Sequence, residues 1–335
     1  MATMKQPTGE DVARRAGVSK SAVSRAFTGG SVSDEARRRI FDAARELRYR
    51  PSQAARSLKT NRSRLIGLTV THLDNQFYPE VIERISEAIA DQGSRLVLFV
   101  THGEADLEPM IDELLGFSLD GVILASGNLA VEVANECVRA SMPVIMFNNV
   151  DNSGRIPGVS ADNGLGGRAI AEHFLERGHK RLAVITGVPE SSTSCERTTA
   201  FCEAVVQAGL PDPKRLCGHY TPDGAAKAMG NLLQGDERPS AVFCVNDHMA
   251  LAAIETCHRM GIQPGKDIAI AGFDNVAIAA WPSFSLTSYA QPVDEMVDAC
   301  VARLMAEIGG VSSDRTTVRL PGELVIRDSS NFGPA

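Results

Sequence analysis

Between Ser19 and Phe27 the chain reads S-K-S-A-V-S-R-A-F, and at helical spacing this segment has two faces. Ala22, Val23, Ala26 and Phe27 make an apolar one, and Lys20, Ser21, Ser24 and Arg25 make a polar one. Lysine and arginine donate to guanine O6 and N7, and a serine hydroxyl serves either role, so the polar face has the chemistry of a base-reading surface. For Lys20 a plain phosphate contact stays open as the alternative, and Ser19 and Ser24 suit capping or phosphate contacts. A second kind of chemistry lies in the body. Asn148, Asn246, Asp247 and Asp274 each follow a short apolar run, where ligand-binding side chains gather in α/β folds. Asp247 reads equally as the cap of a helix that begins at His248. No H-E-x-x-H, G-x-S-x-G or Walker A pattern occurs, and the seven histidines show no ligand spacing. The expectation is therefore a chain that is not an enzyme and carries neither metal nor cofactor.

The elements that must position the first set are short helices. Thr8-x-x-Asp11 is a capping-box pattern opening a helix over Gly9–Ala16, with Val12 and Ala16 as its apolar pair. Gly17 supplies a turn, and Ser19 caps the segment Lys20–Phe27. Ser33 caps a third helix through Leu47, with Ile40, Phe41, Ala44 and Leu47 as its stripe. Two short helices joined at A-G-V-S and followed by a longer one make the layout of a helix-turn-helix. Charge agrees. Residues 1–64 hold 15 Lys+Arg against 6 Asp+Glu, or +9, while the remaining residues hold 19 against 35, or −16. A basic head on an acidic body points to a polyanion as the head's partner.

Three stretches, D-V-A-R-R-A-G-V-S-K-S-A-V-S-R (Asp11–Arg25), V-S-D-E-A-R-R-R-I (Val32–Ile40) and L-R-Y-R-P-S-Q-A-A-R-S-L (Leu47–Leu58), resemble the LacI/GalR (lac-repressor) family of transcription regulators. The resemblance implies that Lys20 and Ser21 read base edges, with Arg25 as the third reading position. Ser19, Ser24, Thr28 and Tyr49 fall within the same DNA-contacting surface. It further implies that Ser52–Leu58 is a hinge helix formed on DNA, in which Ser52, Ala55 and Leu58 face the duplex and Leu58 wedges into the minor groove. The chain departs from the usual S-x-x-T-V-S-R by placing Ala22 where threonine is common, and has Thr28 where asparagine often stands.

From Leu65 onward, near-continuous apolar runs alternate with helical stretches, as parallel sheets require. Strands are expected at Leu65–Val70, Leu96–Val100, Val122–Leu124, Val144–Phe147, Leu182–Ile185, Ala241–Val245 and Ile268–Gly272. The fold expected is an N-terminal all-α helix-turn-helix head plus an α/β two-lobed core similar to periplasmic binding proteins. The divisions are a head over 1–50, a hinge and linker over 51–64, and a core over 65–335. Lobe 1 takes about 65–162 and 292–321, and lobe 2 about 163–291 and 322–330. Gly164-Leu165-Gly166-Gly167 lacks a phosphate-loop spacing and is read as the start of a helix after a lobe crossover. The family resemblance implies an effector cleft lined by Asn75, Phe77, Tyr78, Asn148, Arg197, Tyr220, Asn246, Asp247, Asp274 and Trp281. The bland readings stand beside it: Asp274 as a turn-holder, Trp281 as packing, Arg197 paired with a structural acid.

The composition, 44% hydrophobic and 22% charged, is that of a globular chain with an ample core. No apolar run approaches the roughly 18 residues of a membrane span, and the N-terminal stretch lacks the apolar region of a secretory signal, so a cytoplasmic location is expected. Seven scattered cysteines without a C-x-x-C pair argue against a disulfide framework. The polar tail Val325–Ala335 is too short for a tetramerising heptad, which favours a homodimer. A periplasmic solute receptor would account for the body but not for the head. The partners expected are double-stranded operator DNA and a small effector, a sugar or sugar derivative first and a nucleobase or nucleoside second.

Overall fold

The first three helices each begin at a side-chain oxygen. In a computed structural model that describes residues 7–50, 62–71, 73–101, 107–125, 130–151, 153–235, 237–311 and 314–333, α1 spans Gly9–Ala16, α2 Lys20–Phe27 and α3 Asp34–Glu46. Thr8 and Asp11 form the reciprocal capping box, and Ser19 and Ser33 accept from the backbone N–H groups of Ala22 and Ala36. Such a cap is worth about 1 kcal/mol. Gly17, at φ 64°, closes α1 in the left-handed region that the A-G-V-S turn needs. Val12, Ala16, Val23, Ala26, Ile40 and Ala44 are buried together between the helices. Phe41 departs from expectation: it is 36% exposed, with its ring in edge contact with that of Phe27 at 5.1 Å. Three short helices lack the depth to enclose two aromatic rings.

Residues 1–64 and 65–335 are separate compact units. The second contains two six-stranded sheets. In lobe 1 the order is β11-β5-β4-β3-β1-β2, all parallel, with β1 Leu65–Val70, β2 Arg95–Val100, β3 Gly121–Leu124, β4 Val144–Phe147, β5 Gly158–Ala161 and β11 Thr317–Leu320. In lobe 2 the order is β12-β10-β9-β8-β6-β7, with β6 Leu182–Thr186, β7 Lys214–Cys217, β8 Ala241–Cys244, β9 Ala269–Asp274, β10 Thr287–Ala290 and β12 Glu323–Val325; only β12 is antiparallel.

Successive residues of a strand face opposite sides, and the core follows that alternation. Ile123 packs with α4 (Phe77–Asp91) and α11 (Val293–Ile308). Its neighbours Val122 and Leu124 pack with α5 (Leu107–Gly116) and α6 (Ala130–Arg139). In lobe 2, α7 (Asn163–Glu176) lies against α8 (Ser192–Gln207), and α9 (Pro222–Gln234) against α10 (Asp247–Arg259). The chain passes between lobes after β5, after β10 and between β11 and β12. The tail is less free than its polarity suggested. Ser329 and Ser330 are buried, donating to the Ile270 carbonyl and to Thr287 Oγ1 respectively. No described helix is long and apolar enough to cross a membrane.

Candidate functional site

In the head, Lys20, Ser21 and Arg25 are exposed and Ser24 is half-buried, so the polar face of α2 is presented much as its periodicity requires. Ser19 spends its hydroxyl on the cap and on Ser21 Oγ at 2.9 Å. Thr28 closes the other end by donating to the Ser24 carbonyl at 2.9 Å. Arg37 of α3 donates to the Ala26 and Gly30 carbonyls, fixing the end of α2. Tyr49 packs its ring edge on Phe27, a structural role beside the expected one. Ser52, Ala55 and Leu58 lie outside the described residues.

The core site is built where strands end. Arg197, on the second turn of α8, is 2% exposed and fully committed on one side: Nε donates to Asn163 Oδ1 at 2.7 Å and Nη1 to the Val245 carbonyl at 2.8 Å. Its guanidinium stacks 3.7 Å from the centroid of Phe273 and stands 3.6 Å from Asp274. Nη2 has no hydrogen-bond partner. An unpaired buried donor is costly, so this atom, partnerless among the described residues, calls for an explanation such as a ligand. Asp274 ends β9 at φ 118° and accepts from Gln291 Nε2 at 2.7 Å. Burial raises its carboxyl to about 6, with Arg197 opposing. The partnerless Asn148 Oδ1 and Gln291 Oε1 are further buried acceptors at strand ends.

Both lobes contribute. Tyr78 of lobe 1 donates to the Ala125 carbonyl at 3.0 Å, and burial, with Tyr220 and Asp274 nearby, pushes its phenol up. Tyr220 bonds Ser191 Oγ at 2.8 Å. Asn75 accepts from the Phe77 N–H, holding the turn that leads into α4. Positive φ at Asn148, His219, Tyr220, Asp274 and Asn275 puts left-handed backbone at these strand ends, which is where function concentrates strain. Gly167 lets α7 approach α8: a Cβ there would stand 2.3 Å from the Arg197 carbonyl oxygen.

Several expectations are corrected. Phe77 is in the hydrophobic core with Val81 and Ile85, because the first turn of α4 points it inward. Asp247 is fully buried, accepting from Ser288 Oγ at 2.6 Å and the Val276 N–H at 2.9 Å; it ties β10 and the turn after β9 to α10. The cap of α10 is Asn246, which accepts from the Met249 N–H. Trp281 is 57% exposed and is not core packing. Asn163, Gln291, Ser191 and Glu196 were missed. The first two flank the positions read as crossovers and Glu196 adjoins Arg197, but only three-dimensional pairing reveals their roles.

Two descriptions match the chain: bacterial regulatory proteins, lacI family, over residues 8–52, and periplasmic binding protein-like domain over residues 171–330. The HTH-type transcriptional repressor PurR of Aliivibrio fischeri (strain MJ11) is 32% identical over 338 residues, covering 98% of this chain and 98% of the relative. The chain belongs to the lacI family. It is a DNA-binding transcriptional regulator, with the family's helix-turn-helix in α1 and α2 and a small-effector core later in the chain. Among solved structures, the transcriptional regulator CelR–cellobiose complex is 27% identical at a TM-score of 0.74, covering 96% of this chain and 99% of that one. The lac repressor dimer bound to operator and the anti-inducer ONPF shares the fold at a TM-score of 0.86 and 24% identity, covering 97% of this chain and 99% of that one.

Proposed function

We propose that this lacI-family member is a cytoplasmic homodimeric repressor. Its affinity for a pseudo-palindromic operator is set by a small polyhydroxylated ring, a sugar or sugar derivative, which leaves the cleft chemically unchanged. The observation carrying the effector class is the mixed polarity of the buried atoms left open among the described residues at or beside strand ends: Arg197 Nη2 as donor beside the Asp274 carboxylate, and Gln291 Oε1 and Asn148 Oδ1 as acceptors. Adjacent hydroxyls each donate and accept, and so satisfy such a set better than a ligand of one polarity. The CelR–cellobiose complex supports the same class. A nucleobase is the second reading, favoured by the phenol rings of Tyr78 and Tyr220 and by the PurR relatives.

The test is a thermal-shift panel of mono- and disaccharides, sugar acids, purine bases and nucleosides, followed by operator titration with each hit. Saturation at 100 times the dissociation constant adds about 2.7 kcal/mol. A sugar that both stabilises the protein and changes operator affinity supports the first reading. A purine doing so while sugars do nothing replaces it with the second. Recovery of altered ligand would argue for an enzyme.

A further inference from the structure

Glu196 precedes the arginine of the proposed effector site on α8, and the two side chains share the Asn163 amide. Glu196 makes a two-pronged ion pair with Arg319 of β11, Nη1 to Oε2 at 2.8 Å and Nη2 to Oε1 at 2.6 Å. Arg319 belongs to the lobe 1 sheet and Glu196 to lobe 2, so the pair spans the lobes. Glu196 Oε2 also accepts from Asn163 Nδ2 at 2.9 Å, and Asn163 Nδ2 reaches Ser160 Oγ of β5 at 3.1 Å. The amide oxygen of Asn163 takes the Arg197 Nε–H. That orientation is the one chemistry allows, since a flipped amide would set NH2 against N–H and carbonyl against carboxylate.

The result is a continuous polar chain. It runs from Asp274 and Arg197 through Asn163 to Glu196 and Arg319, and Gln291 joins it at Asp274. Asn163 lies at the first lobe crossover, Gln291 at the second, and Arg319 just before the third. Asn163 and Gln291 are thus bonded directly to the two side chains proposed to hold the effector, and Arg319 reaches them through Glu196 and Asn163. Both members of the ion pair line an open groove of about 430 Å³ that also includes Asp162, Cys195 and Glu203.

We propose that Glu196 and Arg319 form an inter-lobe latch that transmits the state of the Arg197/Asp274 cleft to lobe 1 and so sets operator affinity; this rests on the reading of that cleft as the effector site. Neither residue is a reading or effector-contacting group. Each acts by positioning: Glu196 holds Asn163, and through it Arg197, while gripping the last crossover strand. A bidentate arginine–carboxylate pair has the directionality for this, which a lysine would lack.

The experiment titrates full-length protein against operator DNA without ligand, so its outcome is separable from that of the effector panel. Variants are Glu196→Gln, Arg319→Gln, the double variant, and the reversed pair Glu196→Arg with Arg319→Glu. Melting curves confirm that each is folded. Arg319→Gln removes the other end of the same pair, so that the two single variants test one contact from both sides. Each single variant is expected to shift operator Kd by about 5-fold or more, the low end of an allosteric coupling. The double variant should shift it no further than either single, and the reversed pair should return it toward wild type. Both singles within twofold of wild type, or additive effects in the double, would overturn the latch, because an ordinary exposed ion pair has no route to the head.

Discussion

The head and the cleft do chemistry with opposite arrangements of the same residue types. On α2, Lys20 and Arg25 project into solvent and the protein asks nothing of them for its own stability. In the core, Arg197 is enclosed, with Nε, Nη1 and the face of its guanidinium all engaged and, among the described residues, Nη2 alone unsatisfied. A surface for a long polyanion is assembled by its partner, whereas a pocket for a small molecule is preorganised before the ligand arrives. Mutations should therefore separate binding from stability in the head and fuse them in the core.

The largest expected effect tests the second half of that contrast. Arg197→Ala removes one member of a buried charge pair, leaving Asp274 without its cation and the Val245 carbonyl without its arginine donor, so denaturant unfolding should show a loss of about 3–5 kcal/mol. A loss under about 1 kcal/mol would mean that the cleft arginine is as independent of the fold as the head's basic residues. Lys20→Ala should leave the unfolding free energy within about 0.5 kcal/mol of wild type. It should cost operator binding about 1–3 kcal/mol, confined to one symmetric pair of base positions. Equal loss on every sequence would reassign Lys20 to phosphate. Ser19→Ala falls between the two classes: losing the α2 cap should cost about 1 kcal/mol of stability and weaken all operators alike.

The smallest effect is a pH signature. Burial raises Asp274 to about 6, so the folded state binds more protons than the unfolded state between roughly pH 4 and 6. The stability this contributes is full below the unfolded value and disappears as pH rises through about 6. Melting curves of wild type and Asp274→Asn should therefore diverge against the wild type across that window and run parallel above pH 7. A constant separation at all pH values would place Asp274 in a wetter setting than its geometry indicates. Asp247, raised by burial and by Asp274, responds in the same direction.

What the sequence made legible follows the same division. The head was readable almost to the residue, because caps at Thr8, Ser19 and Ser33 and the 3.6-residue period are local signals. Its one misreading, Phe41, came from a period that names a face but not whether anything covers it. In the core the long apolar strands were legible, while β5, β7, β10, β11 and β12 were not. They have three or four residues each, and T-S-Y-A of β10 buries Thr287 and Ser288, whose partners Ser329 and Asp247 are about 40 residues away. The cleft failed for the same reason. Strand ends named the polar candidates, but that Asn246 caps, Asp247 braces and Asn163 orients Arg197 is decided by pairings between distant segments.

The three crossings between lobes also impose an order on the chain's birth at the ribosome. Lobe 1 is begun first but completed only after most of lobe 2: β11 pairs with β5, and α11 covers α4 and β4, yet both lie beyond all of β6 to β10. Synthesis proceeds from the N-terminus at about 5–20 residues per second. For many seconds a nascent lobe 1 must hold Ile66, Ile85, Ile123 and Ile145 without its last helix, and present β5 as an open edge. Exposed apolar faces and unpaired edges are where chains aggregate. The same three connections thus also make the first lobe wait for most of the second, and place its most vulnerable interval before release.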